Sequence, residues 1–103
     1  MGVQCVFSYS GYFMASILIG YDLNKSGQNY NELIEVIKAL ADNWWHCLDS
    51  TWIIKTNKSC AQVRDDLKGH VDTNDELLVI KLTGEGAWVG FNDECSSWLK
   101  NNL

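Results

Sequence analysis

Residues 15–23 read ASILIGYDL, a compact run rich in Ile and Leu that stops at the polar stretch NKSGQN of residues 24–29. Its length and β-branched content predict a central strand. Side chains alternate along a strand, so Ile17, Ile19, Tyr21 and Leu23 share one face and Ser16, Leu18, Gly20 and Asp22 the other. The small Ser16 and Gly20 predict close packing on the face that carries Asp22.

Downstream of this strand the hydrophobic period changes. From Tyr30 to Ala41 the apolar Tyr30, Leu33, Ile34, Ile37, Leu40 and Ala41 recur at helical spacing, with Glu32, Glu35 and Lys38 on the outer side. Asn29 and Glu32 read as a capping box for that helix. The Trp, Ile and Thr content of WWHCLDSTWIIKT, residues 44–56, predicts strand from about Trp45 to Thr56, as one bent strand or two, with Asp49–Ser50 as the bend or bulge. Ser59 and Gln62 form a second capping box, opening a helix that buries Cys60, Val63 and Leu67 and ends near Gly69 or Val71. Glu76–Thr83 reads as an apolar strand, Gly84-Glu85-Gly86 as a turn and Ala87–Phe91 as a short strand. Asn92, Asp93 and Glu94 then start a last helix with Cys95, Trp98 and Leu99 on its buried side.

This order predicts an α/β (α+β) sandwich, with helices on one face of an antiparallel or mixed sheet. The other face would be uncovered and apolar, which predicts a homodimer. Residues 14–103 form the expected domain, and residues 1–13 an N-terminal extension with Met14 as a candidate start.

A chain of 103 residues has room for one core, and 47% hydrophobic with 20% charged residues is globular composition. The net charge is −5 and Arg64 is the single arginine, a balance that repels a long DNA duplex, whose binding depends on neutralised phosphates. A nucleotide, a short RNA, a basic patch formed on dimerisation or a protein partner remains compatible. Residues 1–14, MGVQCVFSYSGYFM, carry no basic residue and too short an apolar run for a signal peptide or membrane span, so no membrane and a cytoplasmic location are expected. Cys5, Cys47, Cys60 and Cys95 match no CxxC pair or zinc pattern and are expected as free thiols. His46 and His70 add no metal-ligand spacing.

The sharpest chemical feature is YDLNK, residues 21–25, which sets a carboxylate at the carboxyl end of the central strand. Asp22 there has two readings: a ligand for Mg²⁺, which needs only one or two carboxylates beside waters and phosphates, or a cap for the following turn through Asn24. In a dimer, two copies of Asp22 could face each other. Asp49 and Ser50 either make a bend or bring an acid and a hydroxyl to Asp22 from a neighbouring strand. Trp44, Trp45, Trp52 and Trp88 either stack on bases or fill core and interface. Gly84-Glu85-Gly86 lacks the lysine and following helix of a phosphate loop. His46, between tryptophans and without a triad partner, reads as packed or hydrogen-bonded.

ASILIGYDLNK, followed by an amphipathic helix and then LDSTWIIKT, resembles the ferredoxin-like CRISPR-associated adaptation subunit and its relatives, including the virulence-associated protein D ribonucleases. From Met14 to the C-terminus the chain also looks like small bacterial proteins of the SinR family. The broader resemblance implies a ferredoxin-like βαββαβ core, here with an extra C-terminal helix, a homodimer joined through its sheets and, in some members, metal-dependent cleavage of RNA or DNA. The family's strand-end aspartate matches Asp22 within Tyr21-Asp22-Leu23, and its Ser-aliphatic-aromatic segment is matched loosely by Ser50-Thr51-Trp52. The family's nucleic-acid binders use an arginine-rich surface, which this chain lacks.

The first functional expectation is a homodimeric binding protein for a nucleotide, short RNA or protein ligand at the dimer cleft, using Tyr21, Asn24, Ser50, Trp52 and Trp88. The second is a Mg²⁺-dependent phosphodiesterase or endoribonuclease with Asp22 as catalytic residue and metal ligand. A third is a protein that sequesters a cyclic nucleotide immune signal.

Overall fold

The computed structural model describes residues 2–5, 14–24 and 30–103. Its elements in chain order are β1 (Gly2–Cys5), β2 (Ala15–Asp22), α1 (Asn31–Leu40), β3 (Asn43–Leu48), β4 (Thr51–Thr56), α2 (Cys60–Lys68), β5 (Glu76–Lys81) and α3 (Asp93–Asn102). The strands form one sheet in the order β1-β3-β4-β2-β5, and every neighbouring pair is antiparallel.

The alternation read in residues 15–22 sets the two faces of β2. Ile17 and Ile19 are buried on the first face, where Trp52 and Ile54 of β4 are their cross-strand partners. Leu33 and Ile37, one helical turn apart on α1, and Val63 and Leu67, likewise spaced on α2, close over them to make one core. Each such side chain contributes about 1.5–3 kcal/mol relative to exposure.

Local signals explain the element ends. At α2, Ser59 Oγ accepts from Gln62 N at 3.1 Å and Gln62 Oε1 from Ser59 N at 2.9 Å, the capping box read in the sequence. At α3, Asn92 Oδ1 accepts from Cys95 N at 2.8 Å, and Asp93 and Glu94 lie at the positive end of the helix. The expected Asn29–Glu32 box falls on a residue outside those described, and Tyr30 is the N-cap of α1 without a side-chain cap bond.

One open alternative is decided: the stretch of residues 44–56 forms two strands, β3 and β4, with Asp49 and Ser50 as the turn between them, where the bend was expected, and the register slips within β3, between Trp45 and Leu48. Three expectations are corrected. Residues 87–91 are not a strand: Gly84 and Gly90 take φ of 101° and 95°, which only glycine adopts cheaply, and the segment loops across to α3. The helices do not share one face. Cys95, Trp98 and Leu99 of α3 bury against Trp45 and Ile53, which point to the second face, giving a separate second core. Finally, Cys47 and Cys95 are joined in a disulfide; Cys60 is free. Spacing in sequence could not show this, because the two cysteines meet only when α3 docks on β3.

Part of the stretch read as an N-terminal extension is β1, which extends the sheet by pairing with β3, Val3 opposite Trp45. Ser16 is buried as expected, with Oγ donating to the Asn102 carbonyl of α3. Gly20 is not closely packed: a Cβ there would meet only Leu18 Cδ2, at an ordinary 3.7 Å. Among the described residues no helix is long and apolar enough to cross a membrane.

Candidate functional site

The carboxyl end of β2, the β3–β4 turn and the start of β5 come together at one end of the sheet. On the first face, Trp52 Nε1 donates to Tyr21 Oη at 3.0 Å, and the Tyr21 backbone N–H donates to the Ser50 carbonyl at 3.1 Å. His46 lies stacked on Trp52, and its Nδ1 donates to the Thr51 carbonyl at 3.1 Å. That bond selects the tautomer whose Nε2 carries the lone pair. Desolvation by burial pushes the His46 pKa below 6.5, partly opposed by the Thr51 carbonyl, which favours the charged ring. Neutral His46 can therefore accept a hydrogen bond or a proton.

On the second face, Asp22 and Glu76 are direct cross-strand partners of β2 and β5, so their side chains project side by side. Both are exposed. They head a groove of about 240 Å³ lined by Gly20, Tyr21, Asp22, Glu76, Leu77 and Leu78. The groove exists because Gly20 has no side chain over the second face, while its partner Leu78 stands beside it. Along the same strand, Leu78 is 53% and Ile80 45% exposed.

Asn24 ties this end together. Its backbone N–H donates to Asp75 Oδ1 at 2.8 Å, and its Nδ2 donates to the Asn74 carbonyl at 2.8 Å and, more weakly, to Glu76 Oε1 at 3.4 Å. Asp75 also accepts from Tyr30 Oη at 2.9 Å and Asp72 N at 2.6 Å. These bonds hold the chain leaving β2 against the turn that enters β5, which places Asp22 and Glu76 on rigid elements.

Of the sequence-derived residues, Tyr21, Asp22, Asn24 and Ser50 are thus brought together. Trp52 is near them but only 1% exposed, with His46 on its ring and Trp44 tilted at 5.1 Å, so it anchors Tyr21 instead of offering a face to a base. Trp88 is 38% exposed and follows the Lys81 end of β5, whereas Asp22 pairs with the Glu76 end. Roughly 17 Å of strand separates those ends.

Two residues were missed. Glu76 reads in the sequence only as the start of a strand; its pairing with Asp22 is set by register, which no local signal carries. His46 reads in the sequence as packed, which it is, and its bond to the Thr51 carbonyl leaves the lone pair on Nε2. Among the described residues no three or more His, Cys, Asp or Glu side chains converge as a metal site. Two carboxylates, as in the Asp22–Glu76 pair, could hold a hard cation only with waters and a ligand phosphate in its remaining positions.

No family model matches the chain, and no solved structure matches it. The chemistry of the site is carried by its own residues.

Proposed function

We propose that the chain is a homodimeric ferredoxin-like binding protein for a nucleotide or short RNA, held at a cleft where two copies meet. The connectivity supports the ferredoxin-like reading: with β1 set aside, the order is βαββαβ, and α1 and α2 each link strands separated by one other strand, in the order β3-β4-β2-β5. α3 and β1 are additions to that core.

The observation that carries the binding reading is the groove over Gly20, with the Asp22–Glu76 pair at its head and exposed Leu78 and Ile80 along its edge. The apolar strip suits a second copy, since an isologous contact covers the same residues on both protomers. An acidic chain has little Lys or Arg to offer phosphates, so a divalent cation held by Asp22 and Glu76 would supply the attraction. Tyr21 lines the groove, and Asn24, bonded to Glu76, stands at its head, whereas Ser50 acts through its carbonyl, which holds the Tyr21 backbone.

The same carboxylate pair favours the second reading, a Mg²⁺-dependent phosphodiesterase or endoribonuclease. A bound cation would stabilise charge on phosphoryl oxygens and lower the pKa of a water, with Asp22 and Glu76 holding it in place. A cytoplasmic setting requires Cys47–Cys95 to persist or to cycle against a reducing thiol pool.

The test combines light scattering with thermal-shift measurements on nucleotides and short RNA, with Mg²⁺ and with EDTA. A dimer that dissociates in Leu78→Lys, with a Mg²⁺-dependent melting shift and intact ligand recovered, supports the binding protein. Breakdown that disappears in Asp22→Asn makes it an enzyme. A monomer that no ligand stabilises overturns both.

A further inference from the structure

Five side chains form one lateral row across the second face, one from each strand: Val3 opposite Trp45, Trp45 opposite Ile53, Ile53 opposite Leu18, and Leu18 opposite Ile80. α3 packs over the Val3–Trp45–Ile53 end, and the Ile80 end is exposed. Cys95, in the first turn of α3, is bonded across 48 residues of sequence to Cys47, near the end of β3. We infer that this disulfide is a redox latch: oxidised, it straps α3 over half of the row; reduced, it lets α3 lift and bare the row from Val3 to Ile80.

Four observations carry the inference. The strap is reached through residues 82–92, which contain no regular structure and are exposed from Thr83 to Gly90. Within α3 only Cys95, Trp98 and Leu99 are buried, and the remaining side chains, apart from the cap region, are polar. The described bonds that hold it besides the disulfide are few: Trp45 Nε1 donates to the Cys95 carbonyl at 3.1 Å, and Ser16 Oγ donates to the Asn102 carbonyl. Against these, Trp98 Nε1 is buried with no hydrogen-bond partner among the described residues, which costs its lost hydration as long as α3 is docked. Finally, the core between the first face and α1 and α2 shares no buried residue with the core under α3, so the strap can leave while the rest stands.

The chemistry is a two-electron exchange with a dithiol. One thiolate of the dithiol attacks Cys47, the more exposed half-cystine, the Sγ–Sγ bond breaks and Cys95 leaves as a thiolate that takes a proton. The second thiol of the reductant then displaces Cys47, which is protonated in turn, and the reductant departs as its own cyclic disulfide. The consequence for partner binding rests on the dimer reading above, because the bared row continues into the Leu78–Ile80 strip. The latch itself does not rest on it.

Hydrogen exchange read by mass spectrometry tests the latch on the full chain, untreated, reduced with dithiothreitol, and as Cys47→Ser with Cys95→Ser. A non-reducing digest should contain the Cys47 and Cys95 peptides joined. Reduction and the double variant should each lower protection in residues 93–102 on the order of tenfold or more, while α1 and α2 keep theirs. Unchanged protection of α3, loss of protection throughout the chain, or the absence of the joined peptide would each overturn the inference. Light scattering on the same samples reads the dimer separately, so a monomer in every state would sink the dimer reading and leave the latch measurable.

Discussion

His46 lies flat on Trp52, with ring centroids 3.8 Å apart and planes within 6°. The contact covers the indole, whose Nε1 holds Tyr21 Oη, and it removes water from the imidazole. One stack thus links the end of β3, the middle of the sheet and the residue before Asp22.

Because burial lowers the His46 pKa, the unfolded chain binds a proton more readily than the folded one just below pH 6.5. Its contribution is present in full above the unfolded value and is lost as pH falls through the folded one. His46→Phe keeps a stacked ring and removes the titration. Urea midpoints at about pH 7.5 and about pH 5.5 should differ less in the variant than in the parent chain. Equal differences would show that His46 carries none of the dependence.

Asp22 and Glu76 oppose each other with like charge, an arrangement that costs stability when nothing lies between them. In EDTA, Asp22→Asn is expected to stabilise the chain by about 0.2–1 kcal/mol in urea unfolding. Mg²⁺ should raise the melting temperature of the parent chain and leave Asp22→Asn with Glu76→Gln unmoved. A Mg²⁺ shift of the same size in both proteins would place the cation elsewhere.

Helix caps offer a local test. Ser59→Ala removes one half of the reciprocal pair with Gln62, and Asn92→Ala removes the acceptor for Cys95 N. Each should cost about 1 kcal/mol at equilibrium. A change below a few tenths in both would mean that packing alone holds these ends.

Burial predicts a sharp contrast between two aliphatic truncations. Ile54 is fully buried between β4 and the helices, and Val89 is 92% exposed in the segment before α3. Ile54→Ala should cost about 2–5 kcal/mol and Val89→Ala no more than about 0.5 kcal/mol. Comparable losses would contradict the assignment of the core.

Local patterns proved legible wherever the cause was local. The period of Leu33 and Ile37, the Ser59–Gln62 box and the alternation through Ile17 and Ile19 all appear in the fold as read. The site was half legible. Asp22, Tyr21 and Asn24 are close in sequence, and Ser50 joins them because β4 is the neighbour of β2. For Trp52 the sequence leaves stacking face and core filler both open, because aromatic content does not say which rings are already covered, and its burial places it in the core.

The sequence by itself determined the three helices and the strands β2 and β5, which side of each helix and of β2 is apolar, and that a carboxylate ends β2. Those properties follow from backbone preference and side-chain period, which act over a few residues. Only the tertiary structure decided that Glu76 stands beside Asp22, that Cys47 meets Cys95, and that α3 covers part of the second face. Each depends on strand register or on docking between elements far apart in the chain, and those are set by the joint burial of both partners, which neither segment encodes alone.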